Sequence, residues 1–345
     1  MATHSRPLFQ PHELAFRTQY AELKERVRVA GPLLPGSAGT LVKRSATGRS
    51  YWYRAYQSAA GRQVEDLVCR DGDDETFERA RSDIEFSRWV ATQVRTLRKL
   101  EFQVADKAVG HVLVELHNAG LLQAGLCLVG TLGYMALLNE LGVCALTSRT
   151  QDIDLAARQQ LHLAAPRSLQ EVMDKTRMGF HPVPAPAPDG ASSSLKLPGA
   201  EGLRVDLLTH GNETGGLVAI PALAWHAQTV AHYDYLLEDA REAALLAGTH
   251  CVPVRVPAPE RFMWHKFYSG LARTSFAEKA AKDIRQGAML AVALADQDED
   301  LVVEAAAELP RSMRKVLGAQ RKRFLSALDD AAPARGLLER AFEAA

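Results

Sequence analysis

Three short apolar segments that alternate with helix-like stretches constrain the fold of this chain more than any other feature. The segments are GLCLVG at residues 125–130, QDIDLAA at 151–157 and LRVDLLTH at 203–210. Between them, TLGYMALLNELG (131–142) and SLQEVMDKTRMG (168–179) repeat apolar residues at helical spacing. Strands that alternate with helices predict a central sheet with helices packed against it, of the α/β or α+β class.

The regions on either side of this core have different patterns. Residues 8–30 and 74–118 repeat apolar residues between charges and predict helices, whereas residues 38–70 alternate like a three-stranded antiparallel meander. After Pro259, which suits the first turn of a helix, the pattern is helical to the end of the chain. We therefore expect an N-terminal accessory region (1–118, with a helix over 74–118), a core (119–258) and a C-terminal helical region (259–345).

The composition argues against several classes of protein. Lysine plus arginine and aspartate plus glutamate number 41 each, so no bulk field attracts nucleic acid or an anionic membrane. The N-terminal residues lack a signal-peptide pattern, and no apolar run approaches the roughly 20 residues of a membrane span, so we expect a soluble, cytoplasmic protein. The four cysteines form no CxxC pair, which argues against a zinc site or a disulfide framework and predicts mostly buried, reduced thiols.

Two aspartates one residue apart lie in the second apolar segment. Because successive side chains of a strand point to opposite faces, Asp152 and Asp154 share one face while Ile153 enters the core. Neighbouring carboxylates repel each other unless a hard cation such as Mg²⁺ binds between them. Asp206 has the equivalent outward position in the third segment and supplies a third carboxylate if the two strands are adjacent. The alternative is a charged strand end that binds no metal.

A Gly-Thr pair joins the first strand to the helix that follows it. Gly130 allows the backbone to approach a ligand closely, and a helix that begins near Thr131 offers N–H groups and a positive dipole end. This arrangement suits the triphosphate of a nucleotide. The alternative is a strand-to-helix turn that needs Gly only for its backbone, and the pair alone does not separate the two.

Taken in order, the Gly-Thr turn, the paired aspartates and the later aspartate resemble the signature of the DNA polymerase β-like nucleotidyltransferase superfamily. In that signature a Gly-Ser or Gly-Gly turn precedes an acidic pair, and the corresponding residues here are Gly130, Thr131, Asp152, Asp154 and Asp206. Within the superfamily the chain is similar to a bacterial family of stand-alone nucleotidyltransferases, and more distantly to the abortive-infection nucleotidyltransferase toxins. The resemblance covers most of residues 36–295, through the blocks LVGTLGYMALLNELGV, TQDIDLA, LRVDLLT, VRVPAPERFMWHKF and EKAAKDIRQGAML.

Two features depart from the superfamily pattern. Gly130 and Asp152 are 22 residues apart, a longer interval than the superfamily usually has. Thr131 replaces the commoner Ser or Gly but keeps a hydroxyl for phosphate contact. The resemblance implies an α+β fold, with a mixed nucleotidyltransferase-type sheet flanked by helices, an N-terminal helical and β-meander region, and a C-terminal helical region.

The resemblance also implies a chemistry, the transfer of a nucleoside monophosphate from an NTP to a hydroxyl group with release of pyrophosphate. Asp152 and Asp154 would bind Mg²⁺, or Mn²⁺ in its place, together with the triphosphate. Asp206 would join them in a two-metal site. Asp206 also suits removal of the proton from the acceptor hydroxyl.

Further residues are implied on the nucleotide side. By position Lys266 looks like the lysine that neutralises a phosphate and Asp283 like the later acid, with Lys282 beside it as a further candidate. Arg149 precedes the acidic pair closely enough to reach a phosphate. Plainer interpretations stay open, in which Lys266 and Arg149 are ordinary solvated cations. Asp283 would then pair with Lys279, four residues earlier on the same helix.

The aromatic run YWYRAY is a separate candidate. Tyr51 and Tyr53 lie on one face of the predicted strand, and Trp52, Arg54 and Tyr56 lie on the other. Aromatic and arginine side chains on a sheet can stack RNA bases, but strands also favour aromatic residues for packing. The pattern favours packing, and the stacking alternative makes RNA a candidate acceptor.

The acceptor and the biological role stay open at this stage. The same metal site serves enzymes that modify tRNA ends, proteins and small molecules. One alternative is the toxin of a toxin–antitoxin pair, with the antitoxin as its partner. Another is a non-catalytic module that binds nucleotides or RNA, and the presence of all three carboxylates argues against it. The sequence does not fix the oligomeric state.

Overall fold

A mixed sheet of ten strands organises the residues that the structure describes, and its strand order brings the acidic segments together. The structure is a computed structural model that describes residues 9–145, 150–158, 160–184 and 190–344. Its helices and mixed sheet confirm the predicted α+β class. The strands are β1 (Gln10–Pro11), β2 (Thr40–Ala46), β3 (Arg49–Gln57), β4 (Gln63–Arg70), β5 (Val104–Ala105), β6 (Cys127–Leu128), β7 (Val143–Cys144), β8 (Asp152–Ala157), β9 (His181–Pro182), β10 (Ser194–Lys196), β11 (Arg204–His210), β12 (Leu217–Ile220), β13 (Trp225–Val230), β14 (Arg241–Ala247) and β15 (His250–Val256).

Helices surround this sheet and form most of the C-terminal part of the chain. Short 3₁₀ turns occur at Pro221–Leu223 and Ser326–Leu328. Among the described residues, none of the helices combines the length and the apolar character needed to cross a bilayer. The α-helices are α1 (Leu14–Val29), α2 (Asp74–Lys99), α3 (Lys107–Asn118), α4 (Gly130–Leu141), α5 (Leu169–Lys175), α6 (Tyr233–Leu237), α7 (Pro259–Ala272), α8 (Ala277–Ala295), α9 (Glu299–Ala307), α10 (Arg311–Ala319), α11 (Arg321–Leu325) and α12 (Ala332–Ala344).

The middle of the large sheet carries the predicted acidic residues. The strand order is β12–β13–β11–β8–β6–β15–β14–β5, with β10 paired to β11 and β9 paired to β10. β11 runs parallel to β8 and places Asp206 directly opposite Asp154. On the other face Ile153, Leu155 and Leu207 are fully buried, and this apolar burial fixes the register of the two strands. The two acidic strands are therefore adjacent, which is the condition for Asp206 to join the other two acids.

Most of the other predicted elements are also confirmed. Residues 40–70 form the antiparallel meander β2–β3–β4, and the helical stretch at 8–30 contains α1. Pro259 begins α7, as expected, and helices follow it to the end of the described chain. All four cysteines are free thiols, and three of them are buried. The division into three regions stays a prediction.

The single helix predicted over residues 74–118 is wrong in its middle. α2 ends at Lys99, the short strand β5 follows, and α3 begins only at Lys107. Glu101 has a left-handed backbone with a φ of 66°, which ends the helical path. β5 then pairs in parallel with β14 at the edge of the large sheet. Tertiary pairing of this segment outweighs its local helical periodicity.

A buried asparagine ties this interruption to helix α4. Asn139 is 1% exposed. Its side chain accepts a hydrogen bond from the Gln103 backbone N–H at 2.8 Å and donates one to the Gln103 carbonyl at 2.9 Å. The next residue, Glu140, accepts hydrogen bonds from the Tyr20 hydroxyl at 2.7 Å and from the Ala244 N–H at 3.1 Å. These contacts fix α4, and the Gly-Thr turn that begins it, against α1 and β14.

We expect Asn139→Ala to lower the free energy of unfolding by about 2–4 kcal/mol, because it removes both hydrogen bonds to a buried peptide group. Urea denaturation followed by circular dichroism measures the change. Gln63→Ala, at an exposed position of β4, is the control and should stay within about 0.5 kcal/mol of the wild type. A loss below about 1 kcal/mol for Asn139→Ala would show that this side chain does not fix α4.

Candidate active site

Two of the predicted carboxylates lie opposite each other on adjacent parallel strands. Asp154 of β8 is in register with Asp206 of β11, and Asp152 lies two residues before Asp154 on the same face. All three residues are partly buried. The fold thus brings together the three acids that the sequence pattern selected, which we call the acidic cluster.

Burial and neighbouring negative charge act together on Asp154. Burial, followed by the carboxylates of Asp206 and Asp152, raises the pKa of Asp154 to about 6, while the positive charges of Lys266 and Lys282 act in the opposite direction. Loss of solvent contact and repulsion by the two neighbouring carboxylates both disfavour the ionised form of Asp154. A divalent cation with oxygen ligands would relieve this repulsion, so the donor set fits Mg²⁺.

Asp206 has protein partners that the sequence did not predict. Arg204 Nε donates to Asp206 Oδ1 at 2.7 Å, and the Ser194 hydroxyl donates to the same oxygen. Arg204 Nη2 also donates to Ser194 Oγ at 2.7 Å. The strand alternation that puts Arg204 on the face of Asp206 was the available signal for this contact.

These partners affect how the acidic cluster would receive a cation. Within the described ranges, no group of three or more acids, histidines or cysteines is already gathered as a set of metal ligands. One reason is that Asp206 Oδ1 is hydrogen-bonded to Arg204 and Ser194. Asp206 Oδ2, which these two partners do not contact, is the oxygen that a cation would bind.

The backbone of Gly130 lies directly against Asp154. Gly130 begins α4 with a φ of 63°, and a Cβ added to it would lie 1.9 Å from Asp154 Oδ2. The Val129 N–H donates to the Asp154 carbonyl at 2.9 Å and fixes the turn beside the strand. The positive φ and the close contact together require glycine at this position. As a result, the N-terminus of α4 lies beside the acidic cluster.

Two lysines from the C-terminal helices reach the same place. Lys282 of α8 donates to Thr131 Oγ1 at 3.1 Å, in the first turn of α4. Burial and then the positive charge of Lys266 lower the pKa of Lys282. Lys266 of α7 is 8% exposed and contacts Asp283 Oδ1 at 2.8 Å, and Arg273 contacts Asp283 Oδ2 at 3.3 Å. The predicted nucleotide-side residues Thr131, Lys266, Lys282 and Asp283 therefore lie close together.

The plainer interpretations of two of these residues are wrong. Lys266 is buried and is not a solvated cation. Asp283 is also buried, and it pairs with Lys266 rather than with Lys279, whose ammonium lies 5.7 Å from the centre of the Phe276 ring. Arg149 lies outside the described residues, so its predicted phosphate contact stays a prediction.

Tyr233 is a residue of this site that the sequence did not indicate. Its ring packs edge-on against His265, with 5.3 Å between the ring centroids. Burial raises the pKa of Tyr233 above its usual range, and the negative charges of Asp154 and Asp283 add to the effect. Tyr233 therefore lies within electrostatic reach of both the acidic cluster and the lysine pair. The five-residue helix α6 that carries it has no periodic pattern long enough to be recognised.

A comparison with families of known proteins agrees with this geometry. The model of a nucleotidyltransferase family matches residues 107–311, which is more than half of the chain. The matched range runs from the start of α3 to the start of α10 and includes the acidic cluster, the Gly-Thr turn and both lysines. No curated protein matches the chain.

We expect Asp154→Asn to stabilise the metal-free protein at alkaline pH. The folded-state pKa of Asp154 is about 6 and its ordinary value is 3.8, so the ionised carboxylate weakens the folded state increasingly as the pH rises through this interval. Loss of the charge should raise the free energy of unfolding at pH 8 by about 2 kcal/mol, with allowance for partial exposure. Below about pH 4 the gain should disappear.

Denaturation curves in EDTA at both pH values measure this difference. Asp83→Asn, on the exposed surface of α2, is the control and should give no gain at either pH. If Asp154→Asn and the wild type are equally stable at pH 8, burial and the neighbouring carboxylates do not destabilise the ionised form of Asp154 as described.

Proposed function

The chain belongs to the nucleotidyltransferase family, and on that premise we propose that it transfers a nucleoside monophosphate from an NTP to a hydroxyl group. In this reaction the acceptor oxygen forms a bond to the α-phosphorus, the bond from that phosphorus to the bridging oxygen breaks, and pyrophosphate leaves. The observation that carries the proposal is the contact of the Gly130 turn with Asp154, which sets a helix N-terminus beside paired carboxylates.

The triphosphate would lie against the first turn of α4. That turn has N–H groups without an intrahelical partner and the positive end of the helix dipole, and both attract phosphate oxygens. Lys282 already reaches the Thr131 hydroxyl in this turn, at 3.1 Å. Lys266 would neutralise the pyrophosphate as it leaves, with Asp283 fixing the ammonium group at 2.8 Å.

The acidic cluster would hold the divalent cations. Asp152, Asp154 and Asp206 are oxygen donors of the kind that Mg²⁺ and Mn²⁺ bind, and the raised pKa of Asp154 supports this assignment. When bound, such cations stabilise the attacking and leaving oxygens of an in-line displacement. The partial burial of the three acids limits the access of competing water.

Asp206 would accept the proton of the attacking hydroxyl. Its Oδ1 is held by Arg204 at 2.7 Å and by Ser194, so Oδ2 is the oxygen that faces the acceptor in this proposal. Arg204 and Ser194 would then act as positioning residues that fix the direction of the carboxylate. Tyr233 would stay protonated and contribute its buried ring to the wall of the site.

The proposal leaves the class of acceptor open among tRNA or other RNA, protein and small molecules. A toxin with an antitoxin partner is a more specific variant that uses the same chemistry. Growth arrest on expression, relieved by the product of an adjacent gene, would identify that variant. A non-catalytic nucleotide- or RNA-binding module is the alternative function, and the presence of all three carboxylates beside the Gly130 turn argues against it.

Incubation with each α-labelled NTP, Mg²⁺ and a total cell extract should move label into the RNA, the protein or the small-molecule fraction. We expect Asp152→Asn and Asp154→Asn each to lower the rate of transfer about 10³-fold, because each removes a charged ligand of the cation. Lys266→Met should lower it about 10²-fold through loss of a phosphate contact. EDTA should stop the reaction, and Mn²⁺ should restore it.

Two surface variants are the matched controls for these substitutions. Asp83→Asn and Lys99→Met, both on exposed positions of α2, should keep the wild-type rate. Transfer that survives the double substitution Asp152→Asn plus Asp154→Asn would contradict the proposed site. If no label moves from any NTP, the binding-module alternative is favoured.

A further inference from the structure

The small sheet β2–β3–β4 has one packed face and one open face. On the packed face the rings of Trp52 and Phe77 of α2 lie 4.7 Å apart between centroids. Arg54, 7% exposed, donates to three backbone carbonyls of the preceding loop. Because strand residues alternate, Tyr51 and Tyr53 of the same strand lie on the opposite, open face.

Three arginines surround Tyr51 on the open face. In the strand register Tyr51 lies between Arg44 of β2 and Arg70 of β4, and Arg49 precedes it by two residues on β3. All three arginines are exposed. Glu65, which binds Arg44 at 2.6 Å, is the one acid on the open face of these three described strands. The open face is therefore positively charged, although the chain as a whole has a net charge of zero.

The residues around Tyr53, next to this group of arginines on the open face, are apolar. Tyr53 lies between Val42 of β2 and Leu67 of β4, and Leu67 is 60% exposed. The register of β3 and β4 shifts between Trp52 and Tyr53, and this irregularity lets Leu67 and Arg70 both lie beside the tyrosines. The result is a sheet surface that combines two half-buried tyrosines, an exposed leucine and a group of arginines.

We propose that this open face binds single-stranded RNA. Tyr51 and Tyr53 are two residues apart on one strand, so their side chains are separated by about 7 Å along it. That distance allows two consecutive bases of an extended strand to stack on the two rings. Arg49 and Arg70 contact the phosphates, while Arg44 stays paired with Glu65. Sheets with exposed aromatic residues bind single strands in this way because every base offers a π-face.

The chemistry of the face distinguishes this occupant from others. A duplex keeps its bases stacked inside and has none to offer to the tyrosines. Within cells DNA is mostly duplex, whereas single strands are mostly RNA, so RNA is the occupant. The binding does not depend on the proposed transfer of nucleotides, and its failure would leave that proposal intact. If both hold, the bound RNA is a candidate acceptor.

Fluorescence anisotropy with a labelled 12-nucleotide oligouridylate tests the proposal on the full chain, without NTP or Mg²⁺. The wild type should bind, and Tyr51→Ala plus Tyr53→Ala should weaken binding about 100-fold, since each stacked base contributes about ten-fold. Tyr51→Phe plus Tyr53→Phe keeps both rings and should change Kd no more than about two-fold. Leu14→Ala, an exposed apolar residue of α1, is the control and should leave binding unchanged.

The arginines give a second readout that does not depend on how the tyrosine variants fold. Arg49→Ala plus Arg70→Ala, both at exposed positions, should weaken binding and reduce the slope of log Kd against log salt by about 1.4. A slope equal to that of the wild type would show that these arginines do not contact phosphate.

Three results would overturn the proposal. The first is equal affinity of the wild type and the double alanine variant for oligouridylate, or no binding by the wild type at low salt. The second is tighter binding of duplex RNA, or of the matching single-stranded DNA, than of oligouridylate. The third is a wild type that sediments as a dimer and binds no RNA, together with a double alanine variant that sediments as a monomer. That result would assign the face to a second copy of this chain.

Discussion

The parallel, in-register pairing of β8 and β11 is the constraint on which the rest of the site depends. It places the carboxylates of Asp154 and Asp206 opposite each other in spite of their repulsion. Burial of Ile153, Leu155 and Leu207 on the other face stabilises that register by roughly 2 kcal/mol per side chain. A slip by one residue would bury the acids and expose the apolar side chains, so the hydrophobic core holds the like charges together.

The two lysines on the other side of the site also repel each other, but their charges are positive. The positive charge of Lys266 helps to lower the pKa of Lys282, and the buried carboxylate of Asp283 pairs with Lys266. Helices α7 and α8 carry these residues, whereas the sheet carries the acids. The sheet therefore contributes an excess of negative charge to the site, and the helices contribute an excess of positive charge. A triphosphate with its cation has both kinds of charge and matches both sides.

Strand alternation predicted that Asp152 and Asp154 share one face, because alternation is a local property of the segment, and the resemblance to nucleotidyltransferases selected Asp206 as the third acid. The contact of Ser194 with Asp206 was not predictable, since it depends on the pairing of β10 with β11. The break in the helix at Glu101 was not visible either, because neither Gly nor Pro marks it and the pairing of β5 with a distant strand decides it. The aromatic run could be divided into two faces, but only the packing of Trp52 and Arg54 showed which face is open.

X-ray diffraction from crystals grown with a non-hydrolysable NTP analogue and Mn²⁺ would show whether the acidic cluster binds metal, because anomalous scattering locates the metal independently of the protein. We expect anomalous density between the side chains of Asp152, Asp154 and Asp206, with the triphosphate against Thr131 and Lys282. A nucleotide bound elsewhere, or crystals in which no metal binds beside Asp154, would show that the acidic cluster is not the metal site.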